Sequence, residues 1–446
     1  MTAAEREGRL LDVAQGVVRA SAADETEVVL MQGRSFLTRF SRNRIHQNVG
    51  SEDAWAMVRV SVGKRLGVAT ASSLEASALE EARAAALAIA RASEPVPDWP
   101  GLPPPQPLSA VDGWDAATAE ASADQRADLA AAIIAAARAK DGEAAGAIET
   151  EDGSIVVASS TGVAAHASQT RAEINTVVTS GDGSGYAEGI STRLGDLRAE
   201  AIGRRAARKA RLSRNPKPLP PGRYDVVLEP PALAEWLGYL AYVAFGGKEF
   251  DEGRGPLSGK LGRKVTGETV TIWDSGLDRR TLPMPFDFEG MPKRRLAIIT
   301  RGAAKAVTTN HYRARRMGKR RSSGHALPAS SGSECMPMHL FMQGGTSSAR
   351  ALVAGLKRGL LVTRFWYTNV LEPMRTVLTG MTRDGTFLVE DGEVVAPVRN
   401  LRYTENILEA LGRIEGLSRR LALVRGPVVV PTALVRQVQF SGATQF

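Results

Sequence analysis

The sequence predicts an α+β protein in two parts. An N-terminal α+β domain, a strand meander with helices, spans residues 1–214, and a β-rich, barrel-like C-terminal domain spans 221–446. Three observations carry this expectation. Strand-like alternation and Ala-rich helical stretches follow one another through the first half. The segment NPKPLPPGR (215–223) holds four prolines in nine residues and marks a boundary. Beyond it the strand candidates become short, β-branched and separated by turn signals.

In chain order, apolar Leu10, Leu11, Val13, Ala14, Val17 and Val18 recur at helical spacing and predict a helix over about 2–22. TEVVLMQGRSFLTRFSRNRIHQNV (26–49) alternates like a strand, with a turn expected at Gln32-Gly33. AWAMVRVSVGKRLGVATAS (54–72) predicts two strands around Gly63-Lys64, followed by an Ala-rich amphipathic helix over 74–93. Residues 95–107 hold seven prolines and predict an extended connector. A helix is expected over about 116–139, then strands over 144–189 with turns at Asp152-Gly153 and Thr161-Gly162, then a helix over about 191–212.

In the second half the strand candidates are YDVVLE, TVTIWD, RRLAIITRG, HLFMQGG, LLVTRFWYTNV, TFLVEDGEVVAPV and ALVRGPVVVPT. Clear helices are expected only over 232–245 and 405–417. In the first of these, Leu233, Trp236, Leu237, Leu240 and Val243 or Ala244 form a stripe at i, i+3, i+4, i+7, which predicts a core face.

Composition narrows the function classes. A 43% hydrophobic content is that of a folded chain rather than a disordered one. No apolar run approaches the roughly 20 residues of a membrane span, and the N-terminal residues are charged and amphipathic. The single cysteine, Cys335, excludes an intrachain disulfide framework and a multi-thiolate metal site. A cytoplasmic location is expected. The net charge of +9 is concentrated in RARRMGKRR (313–321), where six of nine residues are basic, and in Arg204, Arg205, Arg208, Lys209, Arg211 and Arg214. Such patches favour nucleic acid, anionic ligands or acidic partners. No aromatic residues interleave with the first cluster and no nucleic-acid-binding signature accompanies it, so solvated faces are the preferred reading.

Several stretches resemble the TldD/PmbA family of metallopeptidase-related proteins. They are PPGRYDVVLEPPALAEWL, SGKLGRKV, TVTIWDSG, FDFEGMPKRR, RRSSGHA, KRGLLVTRFWYTNV and DGTFLVEDGEVVAPVRNLRYTENILEAL, in this order, with RNRIHQNV and VRVSVGKRLGVATAS before them. The resemblance implies two kinds of subunit. One carries a His-Glu-x-x-x-His helix that binds zinc with a later Cys; the other, PmbA or TldE, keeps the fold without those ligands. Here the helix reads LGYLAYVAFGG over 237–247, with no His, Asp, Glu or Cys, and no two of the five histidines are spaced for one helix face. Residues 379–386 hold no Cys, and Cys335 lies too early. This chain is therefore similar to the PmbA/TldE kind, with no catalytic residue, metal ligand or cofactor of its own expected.

What the resemblance implies is a non-catalytic subunit. Its partner would be a TldD-type metallopeptidase subunit, as a heterodimer with the homodimer as a second possibility, and together they would bind an extended, unfolded peptide. Two alternatives stay open: a nucleic-acid-associated, gyrase-modulator-like regulator, and a zinc-independent hydrolase. Contact residues for peptide or partner are expected in three loops. Asp251 and Arg254 lie in DEGR, Asp287 and Glu289 in FDFEG, and Arg315, Arg316, Arg320 and Arg321 in the basic stretch. Each acidic residue could equally close a turn. Cys335 and His339, four apart, could suggest a nucleophile pair, but Pro337 breaks helical spacing between them and a buried thiol is the simpler reading.

Overall fold

The computed structural model describes residues 3–443. The first half comprises α1 (Ala3–Arg19), β1 (Glu25–Ser41), β2 (Arg44–Val62), β3 (Arg65–Ala71), α2 (Ala76–Ala92), α3 (Ala116–Ala119), α4 (Ala123–Arg138), β4 (Glu143–Ser159), β5 (Ala164–Ser180), β6 (Gly183–Ser191) and α5 (Ala199–Leu212). Its six strands form one antiparallel sheet in the order β3-β2-β1-β4-β5-β6. The strands are long enough for one face to carry two apolar layers. Leu10, Leu79 and Ala86 of α1 and α2 pack on Val28, Leu30 and Val58. Ile133 and Ala206 of α4 and α5 pack on Ile148, Ile174 and Val178.

Several elements differ from the sequence expectation. β1 runs unbroken through Gln32-Gly33, and β4 through Asp152-Gly153; the two glycines face each other across the ladder. A Cβ on Gly33 would lie 2.6 Å from the carbonyl oxygen of Asp152, so glycine here permits close strand approach rather than a turn. The reversal falls at Arg42 and Asn43, both with positive φ (51° and 55°). The helix expected over 116–139 is interrupted. Asp115 caps the short α3, and α4 starts afresh at Ser122, whose hydroxyl accepts from Gln125 N while Gln125 caps back. Likewise α5 begins only at Ala199, after a 3₁₀ turn at Leu194–Asp196.

The second half comprises β7 (Gly222–Leu228), α6 (Pro230–Val243), α7 (Gly247–Asp251), β8 (Ile272–Asp274), β9 (Leu296–Thr300), β10 (Ala303–Ala304), α8 (His311–Arg316), β11 (Leu340–Met342), α9 (Ala349–Ala354), β12 (Arg358–Glu372), β13 (Val377–Glu390), β14 (Glu393–Pro397), β15 (Leu401–Asn406), α10 (Ile407–Gly412), β16 (Ile414–Leu417), β17 (Ala422–Val424), β18 (Val428–Val430) and β19 (Ala433–Ala443). The helix expected over 405–417 is only the single short α10, and its last residues instead pair with β19 as β16. Strands β12, β7, β19, β15 and β13 close into a ring, because β12 also pairs with β13. A smaller sheet runs β10-β9-β8-β11-β18-β17. The protein is thus α+β with a barrel-like second half.

Helix α6 belongs to the ring's core. Leu233, Trp236, Leu237, Leu240, Val243 and Ala244 are all buried, as the stripe in the sequence predicts. Trp236 stacks on Phe365 at 5.4 Å between centroids, and Phe365 meets Tyr403 at 4.4 Å. The halves join where Val29, Met57, Ile155 and Val157, on the sheet face away from the helices, bury Phe286 and Met291. Among the described residues no helix is long and apolar enough to cross a membrane.

Candidate functional site

The two faces of α6 have opposite characters. Its outward face presents Pro231, Glu235, Gly238, Tyr239 and Tyr242 to a groove of about 440 Å³. The other walls come from Tyr186 and Glu188 of β6, Arg364 and Trp366 of β12, and Arg425 between β17 and β18. Tyr242 is 61% exposed and Trp366 40%, large aromatic surfaces left in solvent. Tyr239 is anchored, its hydroxyl donating to Thr368 O. Arg364 pairs with Asp384 through Nε at 2.7 Å and lies over the rings of Tyr186 (4.1 Å) and Trp366 (4.8 Å). Burial pushes the Glu188 and Glu235 carboxyls above the ordinary range, with hydrogen bonds from Tyr186 and Thr368 respectively pulling the other way. None of these residues was singled out from the sequence.

The contact residues expected from sequence fall into three environments. Asp251 sits in a charged knot: Arg313 Nη1 and Arg316 Nε both donate to its Oδ2, at 2.9 and 2.8 Å. Arg313 also reaches Glu252 and Glu334, each at 2.8 Å, so a basic residue of the loop is neutralised internally. Arg316 adds Asp98 at 3.1 Å, and Arg254 pairs with Glu252 at 2.6 Å. Arg315, Arg320 and Arg321 are exposed. Asp287 and Glu289, by contrast, are buried at the seam between the halves.

There Asp287 accepts from the backbone N–H groups of Glu289 and Met291 at 2.9 Å and of Ala326 at 2.8 Å, a turn-closing role. Burial, reinforced by the Glu289 charge, raises its carboxyl to about 7. Glu289 accepts from Arg59 Nη2 at 3.2 Å and from His311 N at 2.7 Å. Arg59 Nη2 also donates to Glu27 at 2.8 Å, and burial lifts Glu27 to about 7 despite that pairing. Neither acidic residue of FDFEG faces open solvent.

Two features resemble reactive centres and are held in structural roles. Cys335 is buried, its thiol pushed up by desolvation and directed at Thr308 O, 3.3 Å away. Ser323, His325 and Asp274 form a hydrogen-bonded chain, Oγ to Nδ1 at 3.0 Å and Nε2 to Oδ1 at 2.8 Å. The Ser323 hydroxyl also accepts from Thr309 N at 2.7 Å, which ties it into the loop. Among the described residues no group of three or more His, Cys, Asp and Glu side chains is placed to hold a metal ion. The residues of α6 do not fit a zinc site, and no step through zinc follows from this chain.

Fold and site together define an α+β scaffold in which a helix packs on a closed ring of strands beside an aromatic groove. The chain belongs to the TldD/PmbA family: residues 26–90 match PmbA/TldA metallopeptidase domain 1, 117–214 the central domain and 221–442 the C-terminal domain of that family. It is 28% identical to the metalloprotease TldD homolog of Haemophilus influenzae over 248 residues, 52% of this chain and 48% of that protein. In that match the chain spans about half the relative's length. The metalloprotease PmbA homolog of the same organism is 26% identical over 409 residues, 88% of this chain and 86% of that one. The crystal structure of TldE from Thermococcus kodakarensis superposes with a TM-score of 0.88 at 23% identity, covering 98% of this chain and 99% of that one. This last likeness is one of fold.

Proposed function

We propose that the chain is a non-catalytic subunit of the PmbA/TldE kind, which pairs with a zinc-bearing TldD-type subunit to form a peptide-processing cleft for unfolded peptides. The observation that carries this reading is α6. It keeps its place in the core of the ring, yet residues 237–247 contain nothing that ligates zinc or takes a proton. A domain of this size kept without its chemistry is explained by pairing with a subunit of the same fold. Such an obligate interface should bury upwards of ~2,000 Å². In this reading the exposed Arg315, Arg320 and Arg321 meet acidic partner or peptide groups. Asp251, Arg254 and Arg316 hold that loop in place, and Asp287 and Glu289 set the seam behind it. The complex works in the cytoplasm.

The test is co-expression with a family member that carries His-Glu-x-x-x-His. One complex on size exclusion, with cleavage of an unfolded peptide appearing only in that complex, is the expected result. Two separately eluting proteins, with the zinc subunit fully active alone, would overturn the reading.

A further inference from the structure

We infer that the groove on the outward face of α6 recognises a cationic side chain, lysine or arginine, of an extended peptide. This rests on the reading that the chain handles unfolded peptides and names the residue it selects. The groove's 440 Å³ suits one long side chain and its flanking backbone. Its walls are π faces: Tyr239 and Tyr242 from the helix, Trp366 from β12 and Tyr186 from β6. In the middle of the helix, a Cβ on Gly238 would meet nothing within 4 Å, so the space above it is open.

The charges decide what enters. Both arginines of the lining are paired outside it, Arg364 with Asp384 and Arg425, at 2.9 Å, with Glu173, a carboxylate it shares with Arg171. Neither glutamate is in ion-pair contact with a cation among the described residues, although Arg425 and Arg364 stand near enough to draw the Glu188 and Glu235 carboxyls down. Glu188 takes the Tyr186 hydroxyl and, at 3.4 Å, the Arg425 N–H; Glu235 takes a hydrogen bond from Thr368. The groove therefore offers two carboxylates that no cation among the described residues meets at ion-pair distance, bordered by aromatic faces. Charge-assisted hydrogen bonds and cation–π contact both favour an ammonium or guanidinium there. An anionic side chain would meet two like charges, and a neutral one would leave both carboxylates partly desolvated with hydrogen-bond donors alone.

Short fluorescent Gly/Ser/Ala peptides carrying one central Arg, Lys, citrulline or Glu provide the probe, with anisotropy measured on the isolated full chain. The Arg and Lys peptides should bind about tenfold tighter than the citrulline peptide, and the Glu peptide weakest. Glu235→Gln should erase the preference of Arg over citrulline. Gly238→Leu, which fills open space, should weaken every peptide while leaving the melting temperature unchanged. If Gly238→Leu lowers the melting temperature, Glu235→Gln alone decides. Equal affinities for Arg and citrulline, a preference that survives Glu235→Gln, or no binding of any peptide would overturn the inference. Co-elution with a zinc-bearing subunit is a separate readout, so this assignment can fail while the pairing stands.

Discussion

His325 donates through Nε2 to Oδ1 of Asp274 at 2.8 Å, and both side chains have no solvent exposure. The other carboxylate oxygen accepts from His339 N at 2.6 Å. One buried anion at the end of β8 thus fastens two loops from far along the chain. The Asp274 carboxyl is held well below its usual range, because the neighbouring His325 and Lys293 outweigh the cost of burial. Burial holds both imidazoles below theirs, His339 down to about 3. The pair is therefore a neutral imidazole donating to a carboxylate, and it serves as a structural clasp.

That clasp gives stability a pH signature. A histidine kept neutral in the fold takes up a proton on unfolding below its ordinary value near 6.5. Its contribution is present above about pH 6.5 and is lost as pH falls toward the lower folded-state value. His325→Ala should cost about 3 kcal/mol at pH 7.5, since it leaves a buried charge without its partner. The difference from the unsubstituted chain should shrink between pH 6.5 and 4.5, measured by urea unfolding. A pH-independent difference would show that His325 does not titrate on unfolding. Comparing the two chains removes the opposing trend of Glu27 and Asp287. Their carboxyls, raised to about 7, stabilise at low pH and lose that contribution as pH rises through 7.

Arg59 should act as the tie between the halves. It bridges Glu27 in its own sheet and Glu289 across the seam, with all three side chains at most 8% exposed. Arg59→Ala strands two buried carboxylates and should cost about 3–5 kcal/mol. Arg59→Lys should recover only part, because one ammonium cannot reproduce the planar fork. Adding Glu289→Gln to Arg59→Ala should restore stability relative to the single variant. Additive losses in this cycle would mean the three groups are not coupled.

The sequence was legible where a local period reports a buried face, as in the α6 stripe of Leu233, Trp236, Leu237 and Leu240. It misled at Gly33 and Gly153, since a glycine inside an alternating run signals either a turn or a close backbone approach, and only the facing strand decides. The break at Ser122 was readable in principle, because Ser followed three residues later by Gln is a capping box. The groove was not readable as a whole. Gly238 and Glu235 on one stripe of an apolar helix hint at an open face, but Trp366 arrives from a strand and Arg425 from a turn, both more than a hundred residues later. The Arg59–Glu289 contact spans 230 positions, beyond any local pattern.

The basic stretch should divide into two paired arginines, Arg313 and Arg316, and the exposed Arg315, Arg320 and Arg321. Arg313, with its side chain 7% exposed, holds Asp251, Glu252 and Glu334 together. Arg313→Ala should lower stability by about 2 kcal/mol, a figure reduced because two of its partners are partly solvated. Changing Arg315, Arg320 and Arg321 to Gln should leave the melting temperature nearly unchanged while weakening an acidic partner in a salt-dependent way. Equal melting losses from both sets would return the exposed arginines to a packing role.

Purified, tag-free chain should hold no stoichiometric zinc, and added zinc should not raise its melting temperature. The argument begins with donors. Zinc needs deprotonated thiolate, neutral imidazole or carboxylate groups converging in a tetrahedron. The Cys335 thiol is held protonated by burial and is aimed at Thr308 O. His325 is engaged through both nitrogens, by Asp274 and Ser323. His166, on the exposed side of β5, is bound to Glu7 at 2.8 Å. Residues 237–247, in α6 and the turn after it, hold no His, Asp, Glu or Cys. Ligand binding to the folded state alone would stabilise by RT ln(1 + [L]/Kd), so a tight site could not stay silent in a melting experiment. About one tightly held zinc per chain by elemental analysis, with a melting temperature that climbs with added zinc, would place a metal centre where none is expected. It would also end the assignment to the non-catalytic kind.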